Sequence, residues 1–204
     1  MDGLPEILRF QLQSLGGLEL TAVVLAIAYL VLAIRQNIWC WVCAAISTGI
    51  YIFLFVDARL YMESVLNGFY FAMAIYGWFS WRRGSGDEHA LPVVCWPLAR
   101  HVTALAIVVA SSSITGWALS TWTDAVYPYI DSMTTFAAIW ATFLVARKVL
   151  ENWWYWLVID IASLFIYWDR ELQLTSMLFL LYVCMIPVGY VSWRRSMNDP
   201  AEGA

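Results

Sequence analysis

The chain is a series of long apolar runs separated by short polar links. Runs at 17–34, 36–56, 60–81, 101–119, 129–146, 150–168 and 172–193 dominate it. Each is about 18–22 residues long, enough to cross a hydrocarbon layer of ~30 Å at ~1.5 Å per residue. They predict seven helices in one domain covering 1–204. The fourth run is the most polar, because SSSITG (111–116) interrupts it. The two-residue alternation of a membrane β-barrel is absent.

Composition turns seven apolar helices into a membrane protein. Hydrophobic residues make up 62% of the chain and charged residues 13%, and mean hydropathy is +0.69. So few charges cannot cover the surface of a soluble domain. The leading segment MDGLPEILRFQLQS is acidic and has no basic head before a small-residue cleavage site, so it does not read as a signal peptide. The first run is expected to remain in the mature chain. Cys40, Cys43, Cys95 and Cys184 form no framework. The Cys40/Cys43 pair lies inside an apolar run, and the cysteines read as small buried hydrophobes. Neither metal nor cofactor is expected.

The net charge of −4 says little, but the placement of the cations says more. With the N-terminus outside, Arg35, Arg82, Arg83, Arg100, Arg147, Lys148, Arg194 and Arg195 face the cytoplasm and Arg9, Arg59 and Arg170 face out. The positive-inside rule then predicts N-terminus out and C-terminus in, with an odd number of spans.

One stretch occurs almost twice. YGWFSWRRG (76–84) returns as VGYVSWRRS (188–196), 112 residues later. Aromatic and Arg residues at helix ends can arise from the interfacial belt alone. The match extends further, however. DARL (57–60) pairs with DREL (169–172), Ser64 with Ser176, Arg35 with Arg147 and Glu19 with Asp131, all at the same offset. Asn37-x-Trp39-x-Trp41 resembles Asn152-x-Trp154-x-Trp156 only if three residues are inserted. The expectation is a three-helix unit at 17–81, a loop and linker helix at 82–128, and a second unit at 129–195. This is a 3+1+3 all-α architecture with parallel repeats, and such transporters bind substrate near the midplane between the repeats.

Ionisable groups at bilayer depth are costly and usually functional. Asp160 lies about ten residues into the sixth run. The repeat places Ala44 or Ala45 opposite it, so this carboxylate breaks the symmetry. It suits a proton relay, an ion ligand, a counter-ion for a cationic substrate or a structural hydrogen bond. Asn152, Trp156 and Asp160 fall at i, i+4 and i+8 on one helix face. Amide, indole and carboxylate on one stripe suit a flat, polar, positively charged ligand. Trp140 is too deep for a belt and reads as pocket lining or core, with Thr134 and Thr135 near it. Asn67 is an amide deep in the third run and needs a partner. Asp131 and Glu19 start equivalent helices, where a helix dipole would also favour them. Tyr51, Ser47, Ser163 and Tyr182 are lesser candidates. Trp39, Trp153 and Trp154 read as belt residues. No phosphate-binding glycine loop, HExxH or Ser/His/Asp set is present, so an enzyme is not expected, nor a nucleic-acid partner. A membrane receptor or assembly subunit remains the competing class.

DSMTT (131–135), ARKVLENWWYWLVID (146–160) and the paired Gly-aromatic-x-x-Trp ends resemble the PnuC family of bacterial vitamin transporters. The resemblance covers the chain from about residue 17. It implies a seven-helix fold like that of the SWEET sugar transporters, in the inner membrane. It also implies facilitated uptake without ion or ATP coupling, trapping of the product by a cytoplasmic kinase, and a homo-oligomer such as a trimer. The family's stripe Asn-x3-Trp-x3-Asn/Asp falls on Asn152, Trp156 and Asp160. Trp140 and Asp160 stand where nicotinamide riboside carriers have smaller or amide residues. These two positions look more like the thiamine-transporting PnuT branch, with nicotinamide riboside as the alternative.

Overall fold

The computed structural model describes residues 16–57, 61–83, 91–123, 127–169 and 173–198. Seven helices follow in order: α1 (Gly17–Ile34), α2 (Cys40–Asp57), α3 (Tyr61–Arg83), α4 (Leu98–Trp122), α5 (Pro128–Ala146), α6 (Asn152–Asp169) and α7 (Gln173–Asn198). Among the described residues, the sole strand-like contact is a parallel bridge between Val94 and Val149. Arg59 and Arg170, with most of DARL and DREL, lie outside the described residues, as does the leading segment with Arg9.

Among the described residues, five helices are long and apolar enough to cross a membrane on length and composition alone. The other two, α3 and α6, carry Asn67, Asn152 and Asp160. The fourth helix runs unbroken through SSSITG and extends past the apolar run at both ends. Ser113 bonds back to the Val109 carbonyl at 2.8 Å, and Ser112 reaches the Ser132 carbonyl of α5 at 3.3 Å. A hydroxyl bonded to backbone carries little polar cost at depth.

The second and sixth helices begin at Cys40 and Asn152 rather than at 36 and 150, for a local reason. After α1, Gln36 takes φ 54°, and after α5, Lys148 takes φ 49°. The Gln36 amide bonds the Ala33 carbonyl and the Asn37 amide bonds that of Leu32. The Lys148 and Val149 amides make the same bonds to Val145 and Leu144. These are paired Schellman caps at an offset of 112.

Within each half the helices pack in chain order: α1 on α2 and α2 on α3, then α5 on α6 and α6 on α7. The halves meet where α3 packs on α5 and α1 on α7. Six helices therefore close a ring, and α4 packs against α5, the 3+1+3 arrangement. At Gly116 of α4 an added Cβ would meet Tyr129 of α5, the close approach that small residues permit between membrane helices.

The offset of 112 also governs packing. Trp41 lies against Gly77, and Trp153 against Gly189. Trp41 meets Trp81 edge-on at 5.4 Å, and Trp153 meets Trp193 at 5.4 Å. Ser64 bonds the Ile52 carbonyl, and Ser176 that of Leu164. The Trp81 indole donates to Val145, and that of Trp193 to Ala33. The three-residue insertion expected in the second helix of the unit is therefore wrong. Trp41 corresponds to Trp153, and the partner of Asp160 is Thr48, not Ala44 or Ala45.

Candidate functional site

The ring encloses a cavity of about 470 Å³. Its wall runs from Trp153 and Trp193, near the Arg-rich ends of the helices, to Asp131, Tyr167 and Phe179 near the opposite ends. The first of these ends is sealed by the main core cluster, which contains Trp41, Trp81, Trp153 and Trp193. Trp81 and Trp193 touch across the two halves at 6.2 Å.

The α6 stripe lies on this wall. Asn152, Trp156 and Asp160 all line the cavity, with Asn152 at 0% and Asp160 at 4% exposure. The Asn152 side-chain amide donates to the Val149 carbonyl at 2.6 Å. That fixes the side chain and leaves Oδ1 without a partner. One turn on, Trp156 supplies an aromatic face. The equivalent positions of α2 are Cys40, Ala44 and Thr48, so the first half offers space where the second offers recognition groups.

Asp131, Thr135 and Ser163 also line the cavity. Three other expected site residues do not. Trp140 packs on Trp96 (5.9 Å) and Phe143 (5.7 Å), away from the wall. Trp96 comes from the segment before α4, so the depth of Trp140 reflects a neighbour rather than a ligand. Tyr51 stacks on Phe55 at 5.6 Å. Asn67 is half-buried, and its neighbour Leu66 takes the wall position. The cysteine expectation holds for Cys40, which is buried, but Cys95 and Cys184 are exposed.

Sequence reasoning missed Trp41 and Trp153 as cavity residues. Both line the wall at 2% and 3% exposure, and neither indole N–H has an acceptor. Trp153 had read as a belt residue. The signal that could have found it was the glycine at a fixed distance: Gly77 and Gly189 each lie 36 residues after their tryptophan. Trp39 and Trp154, by contrast, are exposed on the outer face, as a belt requires.

Two polar contacts brace the site helix from outside the ring. The Tyr155 hydroxyl lies 3.0 Å from His101 Nδ1 of α4, and a Glu151 carboxylate oxygen accepts from the Trp96 amide at 3.3 Å. At the sealed end, Lys148 Nζ donates to Gln36 Oε1 at 3.1 Å and sits 4.7 Å from the Trp81 ring centre. Burial pushes the Lys148 ammonium down to about 8, since desolvation disfavours the charged form.

No Lys, Arg or His lines the cavity among the described residues; its charged side chains are Asp131 and Asp160. Such a wall suits a cation or a neutral polar molecule and repels a phosphate.

Comparison with known proteins agrees with this geometry. The model of the family described as nicotinamide mononucleotide transporter matches residues 16–195. The nicotinamide riboside transporter PnuC of Escherichia coli K12 is 23% identical, over 94% of this chain and 90% of that protein. The riboflavin/roseoflavin transporter RibM of Streptomyces davaonensis is 23% identical, over 89% and 88%. The crystal structure of the vitamin B3 transporter PnuC superposes with a TM-score of 0.70 at 20% identity, over 87% of this chain and 80% of that one, and so has the same fold. These relatives are named for nicotinamide riboside and riboflavin, which leaves the thiamine expectation without support. A ring of six helices around a central cavity, matched along nearly its whole length, makes the chain a member of the PnuC, or nicotinamide mononucleotide transporter, family: a multi-pass membrane transporter of the vitamin type and not an enzyme.

Proposed function

We propose that the protein carries nicotinamide riboside across the inner membrane by facilitated diffusion. The observation that carries this reading is the charge of the cavity wall: two carboxylates and no cation among the described residues. A pyridinium ring gains from Asp160 and from stacking on Trp156. The mononucleotide would bring its phosphate dianion against the same carboxylates, a juxtaposition that low dielectric makes costly. The named relatives that carry nicotinamide riboside support the same choice. Asn152, Trp156 and Asp160 bind the substrate, with Asp131, Thr135 and Ser163 nearby. The N-terminus lies outside and the C-terminus in the cytoplasm, so the sealed tryptophan end faces the cell interior. No ion is coupled; a cytoplasmic kinase that phosphorylates the product keeps it from returning. The molecule works as a homo-oligomer.

Calorimetric titration of the detergent-solubilised protein tests this reading. Nicotinamide riboside is expected to bind, with the mononucleotide about a hundredfold weaker or worse, since an unpaired buried charge costs several kcal/mol. Binding of thiamine or riboflavin in place of the riboside would replace the substrate and keep the transporter. Equal binding of riboside and mononucleotide would overturn the charge argument.

A further inference from the structure

The outside of the ring carries a groove whose charge is the reverse of the cavity's. Among the described residues, α3 and α4 each pack on α5 but not on each other. The space between them is closed behind by Phe143 of α5, on which Tyr76 stacks at 6.2 Å and which Trp96 meets edge-on at 6.2 Å. At the Arg-rich end this space is a groove of about 690 Å³. Tyr76, Phe79 and Ser80 form its α3 wall, at i, i+3 and i+4 on one helix face. The segment before α4 supplies Pro92, Val94 and Trp96. Backbone bonds pin that segment: the Val94 amide donates to the Lys148 carbonyl at 3.0 Å, and the Val94 carbonyl accepts from the Leu150 amide at 2.8 Å.

Two arginines complete the groove. Arg147, just past α5, donates from Nη1 to the Tyr76 hydroxyl at 3.1 Å. Arg100, in the first turn of α4, lies over the Trp96 ring at 5.1 Å. Both side chains are exposed, and neither forms an ion pair among the described residues. No Asp or Glu lines the groove among those residues. Glu151 is turned to the Trp96 amide and lies 3.9 Å from His101. A helix N-terminus is already electropositive, so a cation in the first turn is unfavourable there unless an anion stands beside it. The first turn of α4 contains no acidic residue, and Pro97 gives it no side-chain cap.

We propose that this groove holds the phosphodiester headgroup of an anionic membrane phospholipid. Guanidinium groups take phosphate oxygens through charge-assisted, often paired bonds. The Tyr76 hydroxyl accepts from Arg147 and keeps its own proton to donate. Basic pockets between membrane helices bind anionic headgroups on the cytoplasmic side, the side that the N-terminus-out orientation gives this end. The level suits a headgroup, since the exposed belt residues Trp39 and Trp154 lie at the same end. The walls suit a lipid better than a free phosphate. Phe79 is 51% exposed and Val94 37%, apolar surface that a soluble anion leaves uncovered and that glycerol and upper acyl chains cover. Tyr76 and Phe79 belong to the first half and Arg147 to the second, so a bound lipid spans the α3–α5 seam. The site is independent of which vitamin is carried.

Detergent-solubilised protein stripped of lipid is titrated with short-chain phosphatidylglycerol and with the matching phosphatidylcholine, and bound lipid is counted by native mass spectrometry. Wild type is expected to bind phosphatidylglycerol about tenfold more tightly. Arg100→Gln and Arg147→Gln should each weaken it by about fivefold, the effect of one cation near an anionic surface. The double variant should lose the preference. Arg35→Gln combined with Arg195→Gln removes the same charge at the same end outside the groove, and should keep it. Equal binding of the two lipids by wild type, or an equal loss in that control, would reduce the arginines to general surface charge and overturn the site. Displacement of the lipid by an equal concentration of inorganic phosphate would make the groove a free-anion site and overturn the lipid. Wild type that binds no phosphatidylglycerol, with a double variant that falls to a smaller oligomer, would give the groove to a second copy of the chain and overturn the lipid as well. If the double variant does not fold, the single variants and the two wild-type titrations decide.

Discussion

Asp160 is where the two halves differ most in chemistry. Its counterpart Thr48 turns its hydroxyl back to the Ala44 carbonyl at 2.8 Å and so needs no partner from the cavity. A carboxylate has no such internal option on a helix and is left to whatever fills the space. Asp160→Asn keeps the shape and removes the charge. Calorimetry should show affinity for a cationic vitamin reduced by about tenfold or more, with little change in thermal midpoint, because a charge-assisted bond is worth roughly twice a neutral one. Unchanged affinity with a lowered midpoint would make Asp160 structural. Lys148 gives a second residue-scale expectation. Its ammonium is pushed down to about 8 by burial, so between about pH 8 and its ordinary value near 10.4 the unfolded chain holds a proton that the folded chain has lost. Stability rises with pH wherever the unfolded state binds more protons. Thermal melts should therefore show wild type gaining stability through that window relative to Lys148→Met. Parallel curves for the two proteins would mean that the Gln36 bond and the Trp81 face fully offset the burial.

Glycine facing tryptophan is the device that shapes each half. A Cβ at Gly77 would collide with the Trp41 ring, and one at Gly189 with that of Trp153. Gly77→Ala and Gly189→Ala should each lower the thermal midpoint by several degrees, in line with ~1–3 kcal/mol for overpacking a full core. Trp41→Phe combined with Gly77→Ala should recover part of that loss; a Gly→Ala change without effect would mean that the helices simply shift apart. The same pairs explain what the sequence could and could not reveal. Identity at an offset of 112 exposed the duplication, because it is carried by residues with fixed packing tasks. Leaving that offset to match letters misled at α2 and α6, where Trp153, Trp154 and Trp156 crowd into a few positions. Aligning Trp39 with Trp154 is natural by letter, yet both point outward, and the pair that matters, Trp41 and Trp153, is defined by the glycine each faces. The Asn152, Trp156 and Asp160 stripe was legible because helical periodicity alone puts those side chains on one face. Trp140 was not, since its partner Trp96 is brought to it by a backbone bridge, Val94 to Val149, that no periodicity encodes.

At the scale of the whole molecule, the ring is closed by side chains from one half capping helix ends of the other. Trp81 donates to the Val145 carbonyl at the end of α5 at 3.3 Å, and Trp193 to the Ala33 carbonyl at the end of α1 at 2.9 Å. Between them, Lys148 and Gln36, the two non-glycine residues in left-handed conformation among the described residues, bond to each other. Both carbonyls already accept from the Gln36 and Lys148 amides of the paired caps, so each indole adds a second bond to a helix end, and parting α3 from α5, or α1 from α7, breaks it. Any route for substrate through the sealed end must break them. Each indole bond contributes about 1 kcal/mol net, so removing both shifts a closed-to-open equilibrium by roughly tenfold or more. Trp81→Phe and Trp193→Phe keep the ring contacts and remove one bond each. Counterflow of labelled substrate in proteoliposomes should quicken several-fold in the double variant, with the single variants between, while equilibrium affinity changes by less than about threefold, because phenylalanine keeps an aromatic ring at both positions. A double variant that folds and binds normally but exchanges substrate no faster than wild type would show that this seam does not limit transport, and that the slow step lies at the opposite end, where Tyr127 holds Asp169 at 2.6 Å.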